Sequence, residues 1–524
     1  MKKVLIPTKL NSVARELLEE AGFSVVQDSD RSLAELVREH PQTEALIVRS
    51  EPVDEEVLAA LPSLRLVIRA GSGYNTIDVK AARRRNVDVM NTPGANANAV
   101  AEEAIAMILA AYRHLVEGDV TARQGLWEKK KLMGRELSGK TVGVVGLGNI
   151  GQLVVARLSG FKNQILGYDP VLNTKRAEEL GIELVSLEEL FSRSDIVTLH
   201  VPQTDDTRGM VDQRLLSLMK DGAMLVNCAR AAVVDEEAIR QVKRDKKLIF
   251  CNDVYAKDEP GDKSCVDIAD LMLPHLGAST IEANITAARR AAEQLIAYVE
   301  RGVSRYVVNK GVPEELDEQY QELAYQVARI AHHYWESDQS VRRIECSFYG
   351  NLHQYAKWFT APVVAGIASE FDGASDPEEA EAWLKSKGIG YEVREPAAVG
   401  KGYGSSSMTI DLLSGKEAIH QVSVRGTLTE NRAMISRIDD FDNLYFQPAG
   451  HSLVFVYEDR PGVLAMITGS LGSLGINIED IRSPLDSSRT HALAALKTSR
   501  EVPRRVVQQI RQEIKAKVGF ALTI

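Results

Sequence analysis

Along the first 310 residues, short aliphatic runs alternate with stretches whose apolar positions repeat about every 3.6 residues. Residues 4–6, 23–26, 45–48, 66–68 and 87–90 read as strands, separated by amphipathic helices such as 12–21 and 78–85. A long helix of small and aliphatic residues is predicted over 100–115. It leads into a second alternating set with strands at 142–145, 196–200, 223–227, 248–253 and 271–273. A further helix over 281–301 is long enough to cross back to the first set. The polar, acidic stretch GVPEELDEQ that starts at Gly311 reads as a linker. Beyond it lies a mixed region with alternation at 408–412 and 418–424 and the run GKGYGSSS, which carries no evident catalytic constellation. The terminal segment reads βαββα: strand 452–456, helix 465–474, a strand in GINIEDIRS, strand 491–496 and helix 503–518.

This organisation predicts an α/β protein. Two doubly wound parallel domains enclose a cleft, followed by an α+β intervening domain and a small ferredoxin-like βαββα module. The expected divisions are 1–98 with 283–310, then 99–282, 317–447 and 452–524. At 524 residues the chain is long enough for three or four domains. A net charge of −10 argues against general affinity for nucleic acid or anionic membranes. The four cysteines show no CxxC spacing, no apolar run has the length of a spanning helix, and the N-terminus has no apolar signal core. The cytoplasm is the expected compartment.

Chemistry enters at GKTVGVVGLGNIG. A β-branched run is followed by Gly146, Gly148 and Gly151 in G-x-G-x-x-G spacing, then a helical stretch, a second apolar run and Asp169, near the interval of about 20 residues that a ribose-binding acid takes in a dinucleotide-binding unit. The glycines let the backbone approach a pyrophosphate at a helix N-terminus. A carboxylate at 169, with no arginine immediately after it, favours NAD over NADP; Lys175 and Arg176 are the nearest cations. Oxidising an alcohol with NAD needs a proton acceptor, and His275, in the loop PHLGA after the last strand, is placed for it. Glu259 is the candidate partner that raises its basicity, with Asp258 as the alternative. Arg230, at the end of VNCAR, is the candidate grip for a substrate carboxylate. No metal is called for.

The blocks VIRAGSGYNTIDV, NTPGAN with AEEAIAMIL, VNCARAAVVDEEAI, DVYAKDEP and LPHLGAST resemble, in order, the signatures of the D-3-phosphoglycerate dehydrogenases within the D-2-hydroxyacid dehydrogenase family. The resemblance covers residues 1 to about 310. It implies Arg230, Glu259 and His275 as the catalytic set. It places Ser72, Asn149, Ile150, Asp169, Val201, Cys228, Arg230, Asp253, His275, Gly277 and Ala278 around NAD with the three loop glycines, Asp253 towards the nicotinamide carboxamide. A phosphorylated hydroxyacid, 3-phosphoglycerate or 3-phosphohydroxypyruvate, needs clustered positive charge, for which Arg49, Arg69 and Lys129 in the run Lys129–Lys130–Lys131 are the candidates; Arg83, Arg84 and Arg85 read as an exposed helix face. The family pattern departs at Asn75–Thr76 and at Ala231–Ala232, neither of which removes a catalytic charge.

The tail GHSLVFVYEDRPGVLAMITGSLGSLGINIEDI resembles an ACT domain, the regulatory module of the long family members. That likeness implies amino-acid binding, with Tyr457, Asp459 and Asn477 as effector residues and serine as the candidate effector, and a homodimer or homotetramer as the assembly. The implied reaction is the NAD-dependent entry to serine synthesis. Rival readings are another D-2-hydroxyacid dehydrogenase, acting on 2-hydroxyglutarate or glyoxylate, and a non-catalytic NAD-sensing regulator.

Overall fold

The computed structural model describes residues 2–172, 174–335, 340–394, 406–415 and 420–524. The first five strands, β1 (Lys3–Ile6), β2 (Ser24–Gln27), β3 (Ala45–Val48), β4 (Leu66–Arg69) and β5 (Asp88–Asn91), form a parallel sheet in the order 2-1-3-4-5. Both faces of it are covered, which is why its strands are continuous aliphatic runs without polar alternation. The second sheet is also parallel, in the order 12-11-10-9-6-7-8. Its strands are β6 (Thr141–Val145), β7 (Gln164–Tyr168), β8 (Glu183–Leu184), β9 (Ile196–Leu199), β10 (Met224–Asn227), β11 (Ile249–Asn252) and β12 (Leu271–Met272).

Two segments cross between these bodies. After β5 the chain enters the helix Ala97–Tyr112, whose Val100, Ala104, Met107 and Ile108 pack against Val142 and Val144 of the second sheet. It returns through the helix Ile281–Arg301, which is capped by the Thr280 hydroxyl on Ala283 N and ended by Gly302 at φ 71°. The alanines Ala287, Ala288, Ala291 and Ala292 let that helix lie close on the first sheet. The expected single helix over 100–115 stops at Tyr112. His114 takes a left-handed φ of 48°, and a separate helix, Leu115–Arg123, follows with no buried residue.

The intervening domain wraps the helices Glu318–Tyr334 and Thr360–Ile367 against β13 (Arg343–Phe348), β14 (Gly390–Arg394), β15 (Ser407–Leu413), β16 (Gln421–Thr429) and β17 (Arg432–Ile438). The strand order is 14-13-15-16-17, with only β13 and β14 parallel. The predicted alternation at 418–424 begins in residues outside the described set, as does most of GKGYGSSS. The terminal module is β18 (His451–Glu458), the helix Val463–Ser473, β19 (Ile478–Arg482), β20 (His491–Thr498), the helix Arg504–Glu513 and β21 (Val518–Thr523). Its order is therefore βαββαβ. The helix expected to reach residue 518 ends at Glu513, and VGFALT forms an edge strand on β18. One face of this sheet packs on its own two helices. The other, with Val454, Val456, Phe520 and Leu522, joins the core of the intervening domain, where Phe520 stacks on His333.

A buried ionic knot ties the first domain to the intervening one. Lys310 Nζ lies 2.5 Å from Asp88 Oδ2 and 2.6 Å from Asp376 Oδ1, with Lys310 and Asp88 side chains only 6% and 5% exposed. The Tyr298 hydroxyl donates to Asp88, and Arg65 pairs with Asp372. Without the Lys310 ammonium the buried Asp88 keeps only the Tyr298 hydroxyl and Arg83 at 3.5 Å, and the partly exposed Asp376 keeps Arg83 at 3.7 Å, so the desolvated Asp88 charge is left undercompensated. Lys310→Met is therefore expected to cost about 3–5 kcal/mol in chemical unfolding. A loss under about 1 kcal/mol would show the knot to be solvated.

Candidate active site

The glycine loop begins where β6 ends. Gly146 sits at φ +89°, and a Cβ there would stand 2.6 Å from the His200 carbonyl oxygen and 2.9 Å from Val201 Cγ1. A Cβ on Gly151 would come within 2.0 Å of the Gly146 carbonyl oxygen, so this glycine lets the helix Asn149–Leu158 pack against the strand end. Gly148 differs: nothing lies within 4 Å of its Cβ position. It caps the helix from open space, where the free N–H groups of the first turn can meet a pyrophosphate.

Asp169 closes the other side. Its Oδ2 accepts from Leu147 N at 2.8 Å, and Oδ1 accepts from Val171 N and Leu172 N at 2.9 and 3.1 Å. The carboxylate thus pins the turn after β7 to the glycine loop, and Oδ2 keeps acceptor capacity for a ribose hydroxyl. Arg176 is engaged by Glu179 at 2.9 Å and Gln152 at 3.1 Å. Ile150 packs against the core of this domain, and Asn149 Nδ2 approaches Gly94 of the first crossing. This cradle fits a dinucleotide with an unmodified ribose.

Across the cleft, Arg49 and Arg69 extend from the ends of β3 and β4 into a cavity of about 600 Å³ that also includes Thr8, Lys9, Ser50 and Glu51. Arg69 Nε donates to the Arg49 carbonyl at 3.0 Å. Burial, reinforced by the neighbouring charges of Arg49 and Arg230, lowers the Arg69 guanidinium to about 10. Three cations thus converge with Glu51 as the one anion acting on Arg69, an arrangement that a bound polyanion would relieve. Two glycines make room for them. A Cβ on Gly71 would collide with Arg69 Nη1, and one on Gly73 would stand 2.4 Å from Arg230 Nη2. Between them, Ser72 donates to Asn96 Oδ1. Lys9 and Glu51 lie in segments without a motif, so no sequence signal pointed to them. The lysine run is not in this cavity: Lys129, Lys130 and Lys131 are exposed, with Lys131 paired to Glu128 at 2.5 Å.

The third wall comes from the ends of β10 and β11. Asn227, buried, accepts from Ala229 N and donates to the Arg230 carbonyl, which shapes the turn carrying Arg230. Cys228 is buried against Met107, and its thiol is pushed far up by burial and by the nearby Glu103 and Asp253. Asp253 accepts from Leu276 N at 2.8 Å and Gly277 N at 3.2 Å, fixing the loop that presents His275 and is continued by the half-buried Ala278. His275 itself has φ 56°, a left-handed conformation that costs energy in a non-glycine residue.

His275 Nδ1 lies 2.6 Å from Asp258 Oδ2. The histidine's partner is therefore Asp258, not Glu259, whose carboxylate is exposed and lies 3.7 Å from Lys257 Nζ. The loop DVYAKDEP carries one residue more between its Asp and its Glu than the commonest family spacing, and here the position reached by counting from Asp253, Asp258, is the one that meets the imidazole. An ionised carboxylate only accepts, so Nδ1 carries the proton and Nε2 is left as the base. The other histidine near the cleft, His200, is half-buried and pushed down to about 4 by desolvation, so it stays neutral.

In the terminal module Tyr457 is buried in the core, whereas Asp459 and Asn477 are exposed. Glu458 pairs with His491 at one end of β20, and Ile478 pairs with Thr498 at the other. Asp459 and Asn477 therefore stand at opposite ends of the sheet, and one copy of the module does not bring them together.

Residues 105–277 match the family model described as D-isomer specific 2-hydroxyacid dehydrogenase, NAD binding domain. The chain is 32% identical to D-3-phosphoglycerate dehydrogenase of Archaeoglobus fulgidus over 91% of each chain. It is 33% identical to that of Mycobacterium leprae over 95% of each. The NAD+-bound crystal structure of 3-phosphoglycerate dehydrogenase from Entamoeba histolytica superposes with a TM-score of 0.51 at 31% identity, covering 59% of this chain and 99% of that one.

The two loop glycines separate folding from cofactor binding. Gly148→Ala is expected to unfold at the native temperature but to bind NAD about tenfold more weakly or worse, because its methyl group fills space that the protein leaves open. Gly151→Ala should lose several degrees in Tm. Calorimetry and NAD titration of both variants check this, and equal NAD affinity in native protein and Gly148→Ala would refute the cradle.

Proposed function

The chain belongs to the D-3-phosphoglycerate dehydrogenases, NAD-dependent oxidoreductases of the D-2-hydroxyacid dehydrogenase family, and we propose that it oxidises C2 of 3-phospho-D-glycerate to 3-phosphohydroxypyruvate at the start of serine synthesis. The observation that carries this reading is the convergence of Arg49, Arg69 and Arg230 at the Gly71–Gly73 turn, with Asp258 acting on Arg230 and bonded to His275. Such a cluster matches a substrate with a phosphate at one end and a carboxylate at the other.

NAD supplies the hydride acceptor when bound. Gly146, Gly148, Gly151 and Asp169 hold its adenine half, and the Asp253 side of the cleft receives the nicotinamide. Arg230 grips the substrate carboxylate, and Arg49 with Arg69 takes the phosphate, so C2 is fixed between the two. His275 Nε2 removes the hydroxyl proton while Asp258 holds the ring in the tautomer that leaves Nε2 free and stabilises the charge that forms. The glycine-framed loop lets this happen without moving the backbone held by Asp253.

Assembly as a homo-oligomer is supported by the arm at residues 115–133. Trp127 is 90% exposed and Met133 83%, alongside exposed Leu115, Val116, Val120 and Leu126. Serine as an effector fits a pair of terminal modules, since only a second copy can set an Asn477 beside an Asp459.

Two measurements test the reading. In NADH oxidation assays, 3-phosphohydroxypyruvate should outrun 2-oxoglutarate and glyoxylate. Arg69→Gln should raise its KM by about tenfold or more while leaving glyoxylate kinetics nearly unchanged. A native preference for an unphosphorylated acid would sink the phosphate assignment, and no turnover with any acid would favour a regulator. Separately, Asp258→Asn should lower kcat by about 10²-fold and Glu259→Gln by less than about twofold; the reverse ranking would return the role to Glu259.

A further inference from the structure

The helix Ala97–Tyr112 carries two successive acids with opposite fates. Glu102 faces solvent, its side chain 62% exposed and 3.5 Å from Arg157. Glu103 turns inward, and its Oε2 is sealed from solvent with no N–H or O–H donor reaching it. What faces it is another carboxylate. A Cβ built on Gly277 would stand 3.0 Å from Glu103 Oε2 and 3.5 Å from Asp253 Oδ2, so the two acids bracket one point behind the His275 loop.

Two ionised carboxylates do not share a desolvated space without a cation or a proton between them. The groups acting on this pair are identifiable. Cys228, from the end of β10, stays a neutral thiol, and His275, from the loop, acts on Asp253. Among the described residues no lysine or arginine acts on Glu103. A shared proton is what remains. The Leu276 and Gly277 amides both donate to Asp253, which favours its ionised form, so Glu103 carries the proton.

We propose that Glu103 and Asp253 hold one proton between them, and that through this pair Glu103 is a positioning residue that sets how the cleft discriminates oxidised from reduced nicotinamide. The proposal rests on the reading that the nicotinamide lies on the Asp253 side of the cleft. With the proton in place the pair carries one negative charge; without it, two. The oxidised ring is a cation and the reduced ring is neutral, so the second charge favours NAD+ over NADH. Burial and the charge on Asp253 push the Glu103 carboxyl up to about 8. Linkage gives the reciprocal effect. Bound NAD+ makes Glu103 a stronger acid, so NAD+ binding near pH 8 releases protons to an extent that NADH binding does not.

The test uses the full chain. Dissociation constants for NADH, from its fluorescence, and for NAD+, by competition, are measured from pH 6.5 to 9.5 in native protein and in Glu103→Gln. Glutamine keeps the shape and donates an N–H to Asp253 but does not titrate. In native protein the ratio Kd(NADH)/Kd(NAD+) is expected to rise by about tenfold across this range. In Glu103→Gln that rise should be absent. Titration calorimetry of native protein at pH 8, in two buffers of different ionisation enthalpy, gives the proton release directly and does not depend on the variant folding. More release with NAD+ than with NADH supports the pair. Parallel pH profiles in the two proteins, or equal release with both nucleotides, overturn it while leaving the dehydrogenase reading intact. Native protein that binds neither nucleotide overturns the cofactor reading and this inference together.

Discussion

The catalytic architecture depends on two hydrogen bonds from the Leu276 and Gly277 amides to the carboxylate of Asp253. Asp253 is 1% exposed, and an anion so deeply placed is tolerated because backbone donors replace its water. Those bonds fix the peptide planes immediately after His275, which is why that residue sustains a left-handed φ. With the backbone in this conformation the imidazole meets Asp258. Glycine at 277 suits this packing, because a side chain there would press on Glu103 and Val100.

A second constraint is the gathering of Arg49, Arg69 and Arg230. The basicity of Arg69 is lowered first by burial and then by the charges of Arg49 and Arg230, which records the penalty of holding them there. The site is thus prepared for an anion before the anion arrives, with the reorganisation already made during folding. Gly71 and Gly73 allow this, since any side chain would occupy the guanidinium positions. Further from the cleft, the terminal sheet packs on both faces, so that the terminal module and the intervening domain share one core.

Much of this was legible in the chain itself. Parallel strands buried on both faces appear as unbroken aliphatic runs, and the glycine spacing, Asp169 and His275 sit in loops whose flanking strands announce themselves. What escaped depended on distance in sequence or on register. Asp258 and Glu259 are neighbours, and only the path of the loop decides which one reaches His275. Lys129 sits in a basic run that suggested a phosphate site, yet nothing local says the run ends on an exposed arm. Lys9 and Glu51 line the cavity without a motif, and Lys310 meets Asp88 and Asp376 from far along the chain. The last strand, VGFALT, alternates with Val518, Phe520 and Leu522 buried, but it is short and directly follows a helical stretch, which hides it in the sequence. Glu103 reads as one more polar position on a helix until its neighbour across the domain is known.

The two crossings between the first and second domains have a mechanical consequence. The segment from β5 into the helix at Ala97 and the helix starting at Ile281 run side by side, and Arg290 of the latter holds the Pro93 carbonyl of the former at 2.7 Å. A body hung from one strand can swivel in any direction, whereas a body hung from two swings as a door does, about the line through its pins. Relative motion of the two lobes is thereby narrowed to opening and shutting the gap between the arginine cluster and the glycine loop. Each closure then returns the same two faces to the same alignment, with no search over torsion.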